Sequence, residues 1–493
     1  CYNELILCYM HKFCHIQNKN RKPIRHMNAL NPLNKINPEK KHVTKSLLYG
    51  KRLFEIVLTV ILCTGIINIL NYIYVNDCSY ESSSWERAVM KDFYSQKENI
   101  DFLYLGSSHV FMNVIPVKLD EINGRNNFNL ATSAQPMMAS YYLLKEALKY
   151  HSPEHVYLEM YYMIPCVYGD LDNAQVLTRH WDVLYQMPLS LNKLDYKFHL
   201  ANKKYGMMTF FPIRQYSEHL FDASYINTNL AQKQSENYRN YIHIRDEQAP
   251  LFEKGFCTTL NYVECGTFEG NNSAILSPMF DSNSEKYFNA IIDLCRKEDI
   301  SLTLFTSPMP DFRIHCMGNY DQYVTCVNEL AAKNGLHYYD FNLCNPIYLD
   351  LHNDTYFMDH DHLNYEGAQL FTGVLGEVLL DELEGRPIPE DMFYASYDEK
   401  MRQIDNRIFG LDIQEDTTKE PKTYMIYSID NLTETEAEFR ITKICEGTAQ
   451  SVIVQEWSTN NCVTFPETET GVFTVEARPT GSKEVTNRVE TAY

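Results

Sequence analysis

The 493-residue sequence lacks several features that would place it in a common functional class. None of its fourteen cysteines belongs to a Cys-x-x-Cys pair, so the sequence does not predict a structural zinc site. It also lacks basic character after residue 52. Residues 1–52 contain eleven Lys/Arg and two Asp/Glu, a charge of +9, so the whole-chain charge of −20 leaves −29 for residues 53–493. Because a nucleic-acid surface requires clustered Lys and Arg, we expect no nucleic-acid partner.

The cysteines after residue 76 are candidates for disulfides rather than for metal binding. Cys257 lies near Cys265 in the sequence, and Cys445 lies near Cys462, although spacing alone does not determine connectivity. The ten positions are 78, 166, 257, 265, 295, 316, 326, 344, 445 and 462.

One long apolar run, residues 54–75, has Glu55 at its edge as its only charged residue. Twenty-two helical residues at ~1.5 Å rise reach ~33 Å, enough to cross a hydrocarbon core of ~30 Å. Basic residues precede the run and acidic residues follow it, which predicts a basic cytoplasmic tail over 1–52, a transmembrane signal anchor over 53–76 and an outward-facing remainder. The alternatives are a buried core helix and a cleaved signal peptide, although no small-x-small site follows the run. The chain starts at Cys1, and we expect Met27 to be a candidate true start.

After residue 98, short apolar runs alternate with helical patterns. This alternation predicts an α/β domain over 98–385, with a parallel sheet covered by helices on both faces. Residues 163–280 interrupt it and are interpreted as an insertion near the active edge that shapes substrate access. The predicted strands are 100–105, 127–132, 155–161, 300–306 and 336–341, and the clearest helices are 137–150, 284–296 and 365–383.

The segments on either side of this domain have a different character. Residues 77–97 are predicted to be a polar stalk, and 386–420 a linker with one short helix. Short alternating runs over 421–493 predict a small antiparallel β-sandwich. Its role stays open between glycan binding, partner binding and packing on the α/β domain. The runs are 424–429, 438–444, 452–457 and 472–477.

Two short stretches carry residue types suited to serine chemistry. The first, Leu103-Tyr104-Leu105-Gly106-Ser107-Ser108-His109, is a small-residue turn between a predicted strand and a helical pattern. Such a turn can hold a hydroxyl at the carboxyl edge of a sheet, beside free backbone N–H groups. The second, residues 357–368, contains Asp359 and His362. Serine needs a base that removes its proton and a third group that orients the base, and this Asp-x-x-His pair can supply both.

Together the two stretches resemble the two ends of an SGNH/GDSL-type serine esterase. The resemblance implies an SGNH (flavodoxin-like) three-layer α/β fold, with the transmembrane helix before it and the all-β sandwich after it. It implies Ser108 as the nucleophile, His362 as base and then acid, and Asp359 as the group that orients His362.

The segment Asn129-Leu130-Ala131-Thr132-Ser133-Ala134 resembles the second block of that family. The resemblance makes the backbone N–H groups of Ser108 and Ala134 the oxyanion candidates. It implies supporting roles for Ser107 and Asn129, and His109, next to Ser108, is a further supporting candidate.

The sequence departs from the family pattern at two places. Ala134 stands where the family has glycine, and an alanine cannot take every backbone conformation open to a glycine. The asparagine of the third block, expected near 161–163, is missing. These departures keep an alternative open: a non-catalytic SGNH-fold surface protein that binds glycan or a partner acyltransferase.

The resemblance covers roughly residues 98–384 without the insertion. Within that family, the sequence is similar to a membrane-anchored branch that includes D-alanine–teichoic acid transfer proteins and polysaccharide O-acyl-transfer proteins. This implies an extracytoplasmic esterase or O-acyltransferase without a cofactor, acting on acyl groups of a cell-surface polysaccharide or cell-wall polymer. It also implies a membrane-bound O-acyltransferase as a second partner.

Some of these residues have other interpretations. Ser107 and Ser108 could only cap a helix. The run Asp359-His360-Asp361-His362 could bind zinc or manganese, since two imidazoles with flanking carboxylates suit those ions, although our assignment contains no metal. His109 is next to Ser108 rather than facing it, so we interpret it as a packing or substrate-contact residue.

Overall fold

The computed structural model describes residues 38–76, 84–201, 204–240, 251–258, 277, 279–351, 354–359, 361–404, 408–430, 436–448, 450–483, 485 and 487–493. The chain divides into two compact units, Cys1–Asn68 and Ile69–Tyr493. The candidate start at Met27 and the cysteine Cys265 lie outside the described residues.

Helix α1, Pro38–Tyr74, contains the predicted span. Its segment Tyr49–Tyr74 reaches a mean hydropathy of 2.4, and none of its most apolar stretch is buried. By length and composition this helix can cross a membrane, as the sequence predicts. Its orientation stays a prediction.

A five-stranded parallel sheet forms the centre of the second unit, in the order β2-β1-β3-β6-β7. All five predicted strands are present. The order is that of a doubly wound sheet with its switch point between β1 and β3. The strands described before residue 341 are β1 Phe102–Leu105, β2 Asn127–Asn129, β3 His155–Glu159, β4 Leu251–Glu253, β5 Phe256–Thr258, β6 Ser301–Thr306 and β7 His337–Asp340. Strands β4 and β5 form a separate hairpin.

Helices connect and cover these strands. They are α2 Ser84–Ser95, α3 Ser108–Phe111, α4 Pro116–Asn123, α5 Met137–Ala147, α6 Met163–Cys166, α7 Ala174–Gln186, α8 Leu191–Leu200, α9 Gly206–Phe210, α10 Ala223–Gln234, α11 Glu236–Asn240, α12 Ser282–Lys297, α13 Asp311–Met317, α14 Tyr320–Asn334, α15 Tyr365–Glu384 and α16 Tyr397–Gln403. Short 3₁₀ helices cover Pro212–His219, Phe341–Leu343 and Asp354–Tyr356.

Two helix pairs define the outer layers: α4 packs with α15, and α5 packs with α12. The chain moves one way along the sheet from β1 to β2 and the other way from β2 to β3 and β6. Because such crossovers are right-handed, the two pairs lie on opposite faces of the sheet. Asp281 caps α12, Asn364 caps α15, and Gly385 ends α15 at φ 65°.

The prediction of a polar stalk is wrong for α2. Trp85, Val89 and Phe93 are buried in the core of the α/β body. They are four residues apart, so they share one helix face, while charged neighbours such as Lys91 lie between them. The high charge of this segment hid its apolar face.

The predicted insertion contains helices α6 to α11 and the β4–β5 hairpin. Part of it reaches the carboxyl edge of the sheet, where the carbonyl of Lys254 accepts from the N–H of Asn129 at 3.0 Å. The hairpin turn contains Gly255 at φ 80°, where an added Cβ would clash with the Asn129 carbonyl.

The C-terminal region forms two antiparallel sheets around one apolar core, as predicted. One sheet has the order β11-β10-β13-β14 and the other β12-β9-β8. The strands are β8 Ile408–Glu415, β9 Thr423–Asp430, β10 Ala437–Cys445, β11 Ser451–Ser458, β12 Cys462–Thr464, β13 Gly471–Pro479 and β14 Asn487–Ala492.

The predicted linker is partly structured. Its short helix is present as α16, which packs on the α/β body through buried Tyr397 and Met401. Strand β8 is not linker, because Ile408 and Leu411 enter the sandwich core. A bulge near Gly410 breaks the two-residue alternation, so the strand signal was weak.

Cys445 and Cys462, candidates for a disulfide, are both free. Cys445 ends β10 in one sheet, whereas Cys462 begins β12 in the other.

Candidate active site

The predicted serine turn lies at the carboxyl edge of the sheet, beside the switch point between β1 and β3. After β1, Gly106 and Ser107 lead directly into α3, which begins at Ser108. A Cβ added at Gly106 would lie 2.6 Å from the Cβ of Glu159, the last residue of β3. Glycine is therefore required by the close approach of the turn to β3.

The structure brings Ser108, His362 and Asp359 into one hydrogen-bonded chain. Ser108 Oγ lies 2.7 Å from His362 Nε2, although the two residues are 254 positions apart. His362 Nδ1 lies 2.9 Å from both carboxylate oxygens of Asp359. With a proton on Nδ1 directed at Asp359, Nε2 is left to accept the Ser108 proton, which is the arrangement that activates a serine nucleophile.

The Asp359 carboxylate also organises its own loop. Its Oδ1 accepts from the backbone N–H groups of Asp361 at 2.8 Å and His362 at 2.7 Å. Burial would raise the pKa of Asp359, but the hydrogen bonds from the His362 ring and these two N–H groups outweigh it and hold the pKa well below its usual value. The lowered pKa favours the charged carboxylate at neutral pH, which is the form that accepts from His362 Nδ1 and orients the ring.

The β4–β5 hairpin supports the same loop from outside. Thr258 Oγ1 donates to the carbonyl of Leu363 at 2.9 Å, next to His362. On its other side the N–H of Leu363 donates to Asn113 Oδ1 at 3.2 Å. The insertion thus helps to fix the position of the imidazole.

Ser107 has a structural position distinct from that of Ser108. Its Oγ donates to Glu159 Oε2 at 2.7 Å and accepts from the N–H of His109, which caps α3. The helix-cap interpretation therefore holds for Ser107. Ser108, one residue on, is the serine that meets His362.

Glu159 is a site residue that the sequence did not single out. The carboxylate is fully buried at the end of β3, and Oε2 accepts from both the N–H and the Oγ–H of Ser107, each at 2.7 Å. Burial raises the pKa of Glu159 to about 7, against the lowering effect of the Ser107 hydrogen bonds and of His362. A carboxyl group at the carboxyl end of a predicted central strand is the signal that could have found it.

Asn129 supports the site through the backbone. Its Nδ2 donates to the carbonyl of Val110 at 2.8 Å, and its Oδ1 accepts from the N–H of Ala131 at 3.2 Å. It therefore links the end of β2 to α3, which carries Ser108.

Hydrogen bonds also hold the loop that follows. The N–H of Thr132 donates to the carbonyl of Gly106, and the N–H of Ser133 donates to Glu86 Oε1. Ala134 then takes φ 45°, the left-handed conformation that favours glycine. The alanine thus adopts the backbone shape for which the family pattern has glycine.

His109 is buried and packs between two rings. Its ring centroid lies 4.6 Å from that of His362 and 4.0 Å from that of Tyr161. Burial, together with the nearby His362, lowers the pKa of His109 well below its usual value. His109 therefore packs as a neutral ring on the imidazole of His362, and its predicted alternative role in substrate contact stays a prediction.

The third-block region has aromatic residues where the pattern expects asparagine. Tyr161 covers His109, and Tyr162 interacts with Arg313 on α13. Arg313 Nε lies 3.3 Å from Asp361 Oδ1. In the sequence, Asp361 lies between Asp359 and His362. The sequence did not single out Arg313, because its pairing depends on α13 meeting a loop almost fifty residues later.

The metal interpretation gains no support from the described residues, among which no group of three or more His, Cys, Asp or Glu side chains could hold an ion. His360, which that interpretation needs, lies outside the described residues. Both ring nitrogens of His362 are engaged by Ser108 and Asp359.

No family model matches the chain, and no curated protein sequence does. Among solved structures, a "putative acylhydrolase" from Bacteroides fragilis aligns over 60% of this chain and 94% of its own, with 9% identity and a TM-score of 0.27. A likeness this distant carries no argument about function, so the proposal below depends on the geometry and on the sequence motifs.

Proposed function

We propose that this chain is a membrane-anchored serine esterase or O-acyltransferase of the SGNH type, with Ser108, His362 and Asp359 as its catalytic residues. The observation that carries the proposal is the hydrogen-bonded chain from Ser108 Oγ through His362 to Asp359. Its position at the carboxyl edge of a doubly wound sheet, beside the switch point, supports the proposal, because ligands bind there in such folds.

The proposed reaction begins when Ser108 Oγ attacks the carbonyl carbon of an ester and its proton passes to His362 Nε2. The N–H groups of Ser108 and Ala134 would stabilise the oxyanion that forms. When the C–O bond of the ester breaks, His362 gives the proton to the departing alkoxide, and an acyl group remains on Ser108. Water or an acceptor hydroxyl then attacks with His362 as base, and the proton returns to Ser108 Oγ.

The proposed substrate class follows from the proposed location. Helix α1 is long enough to span a membrane, and eleven Lys/Arg precede or begin it within residues 1–52. Positive charge favours the cytoplasmic side, so the α/β domain would face outward. The substrate would then be an acylated surface glycan or cell-wall polymer, with a membrane-bound O-acyltransferase as a second partner.

The proposal is tested with full-length protein in detergent. It should release p-nitrophenol from p-nitrophenyl acetate, and Ser108→Ala should lower the rate by about 10³-fold or more. Ser301→Ala is the matched control, because Ser301 is exposed at the opposite, amino end of β6 and should leave the rate unchanged.

Absence of turnover on small esters and on acylated glycans would favour the non-catalytic binding protein. That alternative draws on Ala134 in place of glycine and on the missing third-block asparagine.

A further inference from the structure

The carbonyl end of α1 is held by the insertion. Lys233 Nζ donates to the carbonyls of Tyr72 at 2.9 Å and Val75 at 2.6 Å, and Asn229 Nδ2 donates to the carbonyl of Ile73 at 2.8 Å. Both side chains come from α10 and are buried. They satisfy the carbonyls that a helix leaves unpaired in its last turn, and the ammonium group complements the negative end of the helix dipole. The end of the candidate span is therefore fixed to the insertion.

The next contact places an exposed aromatic side chain at that end. Tyr74 Oη donates to the carbonyl of Leu220 at 2.9 Å. Phe221 follows immediately, and 98% of its surface is exposed. Tyr72 and Tyr74 end the apolar segment, where tyrosine rings commonly mark the boundary between bilayer and water.

Helix α8 adds a second exposed apolar face to the same insertion. Leu191, Leu194 and Phe198 follow helical spacing, so they share one side of α8, and Leu191 and Phe198 are 86% and 67% exposed. The other side of α8 buries Tyr196 and Leu200 in the core. A helix with one face in the core and an apolar outer face is expected to meet another apolar medium.

The two exposed regions are connected through ordered structure. The ring of Phe198 lies 5.1 Å from that of Phe210 at the end of α9, and the chain then continues through the 3₁₀ helix Pro212–His219 to Phe221. We call the exposed apolar side chains of this region the apolar patch: Leu189, Leu191, Leu194, Phe198, Met207 and Phe221.

The charge of this region also suits a membrane surface. The described residues between 189 and 221 include four Lys/Arg and two Asp/Glu, whereas the whole chain has a charge of −20. Basic residues around an apolar surface favour anionic lipid headgroups.

We propose that the apolar patch inserts into the outer interface of the bilayer beside the end of α1, so that the insertion holds the α/β body against the membrane surface. This inference depends on α1 as the membrane span and is independent of the catalytic proposal. The occupant is lipid, because the patch is continuous with the end of the span.

The test uses tryptophan fluorescence of the full-length protein in purified nanodiscs. The variants Phe221→Trp and Phe198→Trp each add a reporter to the patch, and lipids brominated on their acyl chains quench tryptophan only at short range. The parent protein supplies the baseline of its three native tryptophans. Val452→Trp is the matched control, because Val452 is an exposed apolar residue on β11 of the sandwich.

Brominated lipid should quench most of the emission added at positions 221 and 198, and none of that added at 452. Unquenched emission at either patch position would overturn the proposal. Because purified nanodiscs contain no protein partner, that result would instead indicate that the apolar patch is a surface for such a partner. Quenching of all three reporters alike would also overturn it, since the patch would then have no special relation to lipid.

Discussion

Glu159→Gln should change how the stability of the protein depends on pH. In the folded protein the pKa of Glu159 is raised from 4.5 to about 7, with burial as the main cause. At about 1.4 kcal/mol for each pKa unit, this corresponds to about 3 kcal/mol. Between pH 4.5 and 7 the folded state keeps a proton that the unfolded state releases, so this contribution to stability is present below about pH 4.5 and lost as pH rises through about 7.

Glutamine cannot ionise, so the variant should not lose this contribution. Its amide oxygen can accept the two hydrogen bonds from Ser107, but its NH₂ group would occupy the position of Oε1, which has no hydrogen-bond partner. That cost, about 1–3 kcal/mol, is the same at every pH. The free energy of unfolding of Glu159→Gln relative to the parent should therefore rise by about 3 kcal/mol between pH 4.5 and pH 8.

The measurement is urea unfolding at both pH values, followed by the fluorescence of Trp85 and Trp181, which are buried in the α/β core. Glu377→Gln, an exposed carboxyl on α15, is the control and should track the parent at both pH values. A Glu159→Gln profile parallel to the parent, or one that falls further at pH 8, would refute the account of Glu159 as a buried carboxyl with a raised pKa.

Three other changes test the site and the topology. Asp359→Asn should slow acylation in a stopped-flow ester assay by up to ~10⁴-fold if the carboxylate fixes the tautomer of His362, and a loss of less than tenfold would remove that role. Ala134→Gly should keep activity and change the unfolding free energy by less than about 1 kcal/mol, because relief at φ 45° offsets the greater freedom of the unfolded chain, whereas Ala134→Val should destabilise. Protease added to spheroplasts should digest the α/β domain and spare an N-terminal tag, and protection of the domain would reverse the proposed orientation.

Local sequence patterns were enough to predict the strands of the parallel sheet and the contact between Asp359 and His362. The five parallel strands are short apolar runs between helical patterns, and their positions follow from that contrast. Asp359 and His362 are three residues apart, so their contact is nearly local and could be expected from spacing. The contact of His362 with Ser108 was an expectation from the family resemblance, and the structure places these two side chains within hydrogen-bonding distance.

Features that depend on distant contacts could not be predicted in the same way. Glu159 is buried only because β3 pairs with β1 and its side chain meets the serine turn. Arg313 joins the site through an ion pair with a loop far along the chain. In both of these cases tertiary contacts, rather than local pattern, decide the environment of the side chain. Helix α2 differs, because Trp85, Val89 and Phe93 recur every four residues and its apolar face is a local pattern that its charged composition obscured.

The most direct test of the proposed mechanism is labelling with a fluorophosphonate, which reacts with activated serine hydroxyls. Ser107 and Ser108 are adjacent, but only Ser108 Oγ lies within hydrogen-bonding distance of His362, while Ser107 bonds to Glu159. Peptide mass spectrometry of the labelled full-length protein should place the adduct on Ser108. Ser108→Ala should lose the label, and Ser107→Ala should keep it to a measurable degree. A label on Ser107, or full esterase activity in Ser108→Ala, would contradict the assignment of Ser108 as the nucleophile.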